Sequence, residues 1–135
     1  MKRLGSLLFS TILVIVVITA VALEISGVVT VHTETPAGAH RTTHVWFVED
    51  DGVLYLEAGS PTNPWVVDLI DKQTLRLSGQ GLDGTYRFAL HESGGSHQRI
   101  REMMRQKYGW RDVWIGMLFD TSASQMMELS PLERT

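Results

Sequence analysis

The chain has 135 residues, the length of one folded domain. Hydrophobic residues make up 44% and charged residues 20%, which excludes global disorder, and a formal charge of −3 with a pI near 5.9 argues against a general nucleic-acid binder. Cysteine is absent, which excludes disulfides, thiolate metal sites, iron–sulfur ligation and a cysteine nucleophile together.

Leu4 to Leu23 contains no charged residue. A helix of that length crosses roughly 30 Å of hydrocarbon. Lys2 and Arg3 precede the run and Glu24 is the first acidic residue after it, so residues 24–135 carry ten basic and fifteen acidic side chains. An uncleaved anchor is the preferred reading, because the run is continuous and at the long end for a signal-peptide core. The rival is a cleaved signal peptide with its small-x-small end at Ala20-Val21-Ala22. A soluble buried helix is the third reading, and it needs apolar cover on every face. The positive-inside rule places Lys2 and Arg3 in the cytoplasm and residues 24–135 outside. Residues 1–24 thus form an anchor or signal peptide and residues 25–135 a folded domain; cleavage after Ala22 would release that domain as a secreted protein.

The remainder reads as short strands. Val29 and Val31 alternate with Thr30 and His32. Thr42 to Glu49 follows with two largely apolar faces, as in a central or barrel-forming strand. Asp50-Asp51-Gly52 is a hairpin signal, and Val53 to Glu57 returns as its partner. Gly59 to Pro64 is a loop, with Pro64 suited to open a short helix over 64–71 that turns Trp65, Val66 and Leu69 inward. Leu75 and Leu77 mark a one-sided strand, Gly79 to Gly84 a turn ending in Asp83-Gly84, and Tyr86, Phe88 and Leu90 another one-sided strand.

Ser96 is the predicted cap of a helix over 97–108, with Ile100, Met103, Met104 and Tyr108 on its inner face and Gly109 as its stop. Trp110, Val113, Trp114, Met117 and Leu118 form a second helical stripe, over 111–118. Its two tryptophans read as core, although an indole also suits a cofactor pocket or an interface. Gln125 to Leu129 closes the domain as a strand before Pro131. The expected fold is mainly β with helical insertions: a small closed or split β-barrel behind one N-terminal transmembrane helix.

Chemical motifs are sparse. The five histidines are scattered, and His40 and His44 fall on a loop and a strand, so no metal site is expected. No nucleophile elbow or Walker loop is present, and the hairpin turn explains Asp50-Asp51. Arg99, Arg101, Arg105 and Lys107 stand against Glu102 alone, which makes either a solvated face or a surface for anionic headgroups or phosphate. Arg41-Thr42-Thr43 opens an otherwise apolar strand. It is either an ordinary polar strand start or a phosphate cradle at a barrel mouth.

The ordered set Val31-His32-Thr33, Arg41 to Gly52, Gly59-Ser60, Asn63 to Leu69, Lys107 to Trp110 and Leu129 to Pro131 resembles the deazaflavin-dependent nitroreductase family. These are split-barrel proteins related to the pyridoxamine-phosphate-oxidase-like flavin binders. The resemblance spans roughly residues 28–131. It implies an oxidoreductase that uses deazaflavin (coenzyme F420) or FMN and passes reducing equivalents to a small-molecule acceptor, quinone-like or nitroaromatic. It implies phosphate contacts from Arg41, Thr42 and Thr43, a ring bordered by Gly59, Ser60 and Trp65, and a homodimer of the kind related barrels form. Pro36 to His40 replaces the family's Gly-Arg-x-Ser-Gly turn, His44 replaces its Pro, and Asp68 replaces its Asn. The lost turn arginine favours the alternative, a membrane-anchored binding module that has lost the cofactor. Expected partners are therefore the lipid bilayer and a small molecule, and not nucleic acid.

Overall fold

A computed structural model describes residues 2–24 and 27–132. The elements in chain order are α1 (Lys2–Glu24), β1 (Val28–Glu34), β2 (His40–Asp50), β3 (Val53–Glu57), α2 (Pro64–Val67), β4 (Thr74–Gly79), β5 (Leu82–His91), α3 (Gly94–Tyr108), α4 (Trp110–Leu118) and β6 (Met126–Pro131). Residues 25 and 26, where the predicted domain boundary falls, lie outside the described residues.

The six strands close into an antiparallel barrel in the order β1-β2-β3-β6-β5-β4. Two long strands make closure possible. β2 pairs with β1 through His40–Trp46 and with β3 through Phe47–Asp50, while β5 pairs with β4 through Leu82–Arg87 and with β6 through Tyr86–His91. Val31 opposite Leu77 lies in the β1–β4 seam.

Alternation along the strands sorts the side chains. Val29, Val31, Val45, Leu56, Leu75, Leu77, Met127 and Leu129 fill the interior, and Trp65, Val66 and Leu69 from α2 and its following turn plug it. The outer face of β2 and β3 is apolar as well, because α3 covers it: Trp46, Val48 and Tyr55 pack on Ile100, Met103, Met104 and Tyr108. Two cores on opposite faces of one strand explain why Thr42 to Glu49 reads apolar on both sides.

The hairpin at Asp51-Gly52 has positive φ at both residues, 51° and 78°, as a two-residue primed turn requires. The next turn lies within the expected Gly79–Gly84 region but is shorter than it. It falls at Gln80-Gly81, with φ of 54° and 79°, and Asp83 and Gly84 are already strand residues opposite Ser78 and Leu77. This register keeps Leu82, Tyr86 and Phe88 on the core side, whereas a turn at Asp83-Gly84 would leave Leu82 outside.

α3 also begins earlier than predicted. Ser93 occupies the cap position, and Ser96 is buried within the first turn, its hydroxyl set against the carbonyls of His91 and Ser93 at 2.8 and 2.6 Å. α1 is long and apolar enough to span a membrane over Gly5–Leu23, and nearly all of it is exposed, with Phe9 at 70%. That exposure overturns the buried-helix reading. Its two threonine hydroxyls are satisfied internally, Thr11 donating to Leu7 O and Thr19 to Ile15 O.

The core expectation for α4 fails. Trp110 is 58% exposed and Met117 73%, and Val113 and Leu118 are exposed beside them. α4 buries its polar side instead, through Asp112, because the partner there is an arginine of α3.

Candidate functional site

A cavity of about 600 Å³ opens where the first half of β2, the β3–α2 loop, α3 and the end of α4 meet. Arg41, Thr43, Gly59, Ser60 and Trp65, five of the six residues singled out in the sequence, line it together. Thr42 is exposed and lies outside its wall. The strand pleat separates it from its two neighbours.

Arg41 is held rigidly. Its Nε donates to Asp68 Oδ2 at 2.7 Å, and Thr33 Oγ1 donates to the same oxygen at 2.8 Å. Asp68 is buried and Arg41 remains about one-third exposed, with side-chain exposures of 3% and 37%. Burial works against the Asp68 charge, but the Thr33 hydroxyl and the Arg41 guanidinium outweigh it and hold the carboxyl below its ordinary value. The guanidinium is thus aimed at the cavity with part of its charge already balanced.

The β3–α2 loop supplies a stretch of bare backbone. Gly59 adopts φ +63°, and a Cβ there would stand 2.6 Å from Asn63 Nδ2. Asn63 Nδ2 in turn donates to Ala58 O at 3.1 Å, so the close approach is built into the loop. Ser60 Oγ lies 2.8 Å from Thr62 Oγ1 and accepts the Thr62 amide at 3.2 Å.

The opposite wall holds a charge cluster that the sequence reading did not single out as one. Arg101 Nη1 donates to Glu57 Oε1 at 2.5 Å, and Arg101 Nη2 donates to Asp112 Oδ1. Glu57 and Arg101 border the cavity, while Asp112 is fully buried behind them. Burial disfavours the Arg101 charge, and the two carboxylates more than restore it, so its pKa stays raised. The sequence signals were faint: a lone carboxylate ending the apolar strand Val53–Glu57, and one arginine among several on α3.

Trp46 completes the wall. It stacks on Tyr108, with centroids 4.2 Å apart and planes at 12°, and its buried Nε1 has no hydrogen-bond partner among the described residues. Tyr108 fixes it from behind: its hydroxyl accepts from Phe47 N at 3.0 Å and is set against the carbonyls of Phe47 and Gly27. Leu23, at the end of α1, and Ile115 and Phe119 form the apolar side.

His44 lines the cavity, while three other histidines take structural parts elsewhere. His32 bonds Ser78 at 2.7 Å, His91 bonds Glu128 at 3.0 Å and His97 bonds the Ser124 carbonyl at 2.8 Å.

No family model matches the chain, and no curated protein does. Solved structures do. The haem storage protein HutZ of Vibrio cholerae superposes with a TM-score of 0.59 at 10% identity, over 80% of this chain and 83% of that one. A Listeria innocua protein described as a pyridoxamine 5′-phosphate oxidase gives 0.53 at 18% identity, covering 94% of both chains. An F420-H2-dependent reductase gives 0.53 at 14% identity, covering 76% of this chain and 93% of that one. The fold is the split barrel. At these identities the likeness establishes architecture, and the chemistry rests on the split barrel's own residues.

Proposed function

We propose that this split barrel is an oxidoreductase of the flavin- or deazaflavin-dependent kind, tethered to a membrane by α1, that reduces a small quinone-like or nitroaromatic acceptor. The observation that carries the reading is the cavity itself, which gathers Arg41, Thr43, Gly59, Ser60 and Trp65 from three separate segments. Its volume of about 600 Å³ lies within the ordinary range for small-molecule sites. The neighbours' names add support, since they include an F420-H2-dependent reductase and a pyridoxamine 5′-phosphate oxidase.

The residues fit a flat aromatic ring with an anionic arm. Trp46 and Trp65 offer aromatic surface, and the bare backbone at Gly59 allows close approach. Arg41 offers guanidinium N–H groups and Thr43 a hydroxyl for the arm. Trp46 Nε1 is a buried donor that a ligand acceptor would satisfy. A bound flavin or deazaflavin would supply the hydride chemistry; the protein supplies orientation, exclusion of water and a fixed charge at Arg41.

The alternative of a cofactor-free binding module draws on one observation, the Arg41–Asp68 pair, which already spends part of the arginine's charge. Activity separates the two. Full-length protein in detergent or vesicles, given reduced FMN or reduced F420 and a soluble quinone or nitroaromatic, should consume reductant faster than the uncatalysed reaction. No acceleration with either cofactor, in protein whose circular dichroism shows a folded barrel, would select the binding module.

A further inference from the structure

We infer that α4 is a second membrane contact: an interfacial helix whose apolar face lies in the headgroup–acyl boundary beside α1. The inference rests on the tether reading and adds to it a surface, a depth and an orientation. Trp110, Val113, Met117, Leu118 and Phe119 are all exposed, between 45% and 73%, and line one side of α4 and its end. A soluble domain rarely leaves so dense an apolar stripe in water.

The occupant follows from geometry. Trp114 Nε1 donates to Thr19 Oγ1 at 3.0 Å, which fixes α4 against α1. The apolar stretch of α1, Gly5–Leu23, has 19 residues. At 1.5 Å per residue it is about 28 Å long, so it matches the hydrocarbon thickness with no slack. A spanning α1 must therefore be immersed almost to Leu23. Thr19 then lies about 6 Å inside that boundary, and Trp114 lies at the same depth, which is the depth interfacial helices reach.

The polar side of α4 is held away from the lipid by Asp112, which Arg101 ties to α3. Arg105 adds to that polar side, its Nε 3.7 Å from Asp112 Oδ2. The arrangement also orients the barrel. Leu23 and Phe119 both border the cavity, so the cavity mouth faces the membrane surface.

The absence of native cysteine allows a clean test. Single variants Met117→Cys, Leu13→Cys and Ala37→Cys, each labelled with a polarity-sensitive dye, are reconstituted as full-length chain in vesicles containing anionic lipid. Ala37 lies in the β1–β2 turn, at the end of β1 remote from α1. The inference predicts that a lipid-borne quencher near the headgroups quenches the Met117 label, and that aqueous iodide quenches it about fivefold less than the Ala37 label, as immersion requires. If the Met117 label is as open to iodide as the Ala37 label while the Leu13 label is shielded, the tether stands and the inference falls. If the Leu13 label is itself open to iodide, the tether reading fails and the inference with it. A Met117 label shielded from iodide and from the lipid quencher alike would assign this face to a second copy of the chain and also overturn the inference.

Discussion

Arg41 carries the largest chemical expectation of any single side chain. Replacing it with alanine should weaken binding of FMN or deazaflavin by about 1–3 kcal/mol, the usual range for a hydrogen bond to a charged group. Asp68→Asn should act in the opposite sense. It keeps a polar partner for Thr33 and Arg41 but removes the negative charge 2.7 Å from the guanidinium. Affinity for an anionic cofactor should rise, and its salt dependence should steepen, in titrations at two ionic strengths. Binding that is unchanged in both variants would remove Arg41 from the site. The Arg41–Asp68 pair was not legible in the sequence. A polar start to an apolar strand marks Arg41, but only the placement of α2 brings Asp68, 27 positions away, onto its Nε.

Arg101 is the structural counterpart. Arg101→Met leaves Glu57 without its cation and the fully buried Asp112 with only Arg105, 3.7 Å away. Loss of one partner from a buried ion cluster costs about 3–5 kcal/mol, which denaturant unfolding would read directly. A cost under 1 kcal/mol would show the cluster to be solvent-screened. No spacing rule in the sequence joins Glu57, Arg101 and Asp112, since they come from a strand and two helices.

At the scale of elements, α3 is fastened to β2 through Tyr108. Burial pushes the Tyr108 hydroxyl up to about 12 from 10.0. A group whose folded pKa is raised contributes stability below its unfolded value and loses it as pH rises through the folded one. That stability should therefore fall between about pH 10 and 12, and Tyr108→Phe should abolish this fall. Lys107 works the other way. Burial, with the nearby Arg111 charge, lowers it from 10.5 to about 8, while its Nζ sits 3.3 Å from the Phe47 ring centroid. Between those pH values the folded state holds fewer protons, so Lys107 adds stability as pH rises. Unfolding midpoints of the wild type and Tyr108→Phe from pH 8 to 12 check both signs.

The β3–α2 loop depends on Gly59 in the same local way. Gly59→Ala meets both a positive φ of 63° and a contact of 2.6 Å with Asn63 Nδ2. It should cost about 1–3 kcal/mol and weaken ligand binding together, because the loop must shift. An Ala variant with unchanged melting and binding would show that the loop has room to spare.

Elements were legible to different degrees for physical reasons. Strand alternation and Asp51-Gly52 located β1 to β3, because burial on one face and positive φ leave marks in single residues. The turn region Gly79–Gly84 was drawn too wide because Asp83-Gly84 carries as good a local signal as Gln80-Gly81, and only the register that turns Leu82 inward decides between them. α4 was placed correctly as a helix but wrongly as core. A stripe at helical spacing shows that one face is apolar, and its covering depends on the neighbour, here the equally apolar α1.

At the scale of the whole molecule, the barrel was readable and its closure was not. Alternating strands with short hairpins imply a closed sheet, but pairing of β1 with β4 and of β3 with β6 joins segments far apart in sequence. The same long-range closure assembles the cavity, which explains why five of the predicted site residues meet there while the Glu57–Arg101 wall went unseen. The resemblance to the deazaflavin-dependent nitroreductases and the structural likeness to an F420-H2-dependent reductase rest on different observations, residues in one case and backbone in the other.

The central claim is that this cavity takes a flavin-type cofactor, and direct binding tests it. Trp46 and Trp65 line the cavity, while the other two tryptophans, Trp110 and Trp114, lie on α4 outside its wall. Titration of FMN and, separately, of F420 into the full-length chain, following tryptophan emission and cofactor absorbance, should give saturable quenching with one of the two. Trp65→Phe should remove part of that quenching, and Trp110→Phe should leave it unchanged. A folded protein that quenches with neither cofactor, or whose quenching is lost only in Trp110→Phe, would contradict the claim.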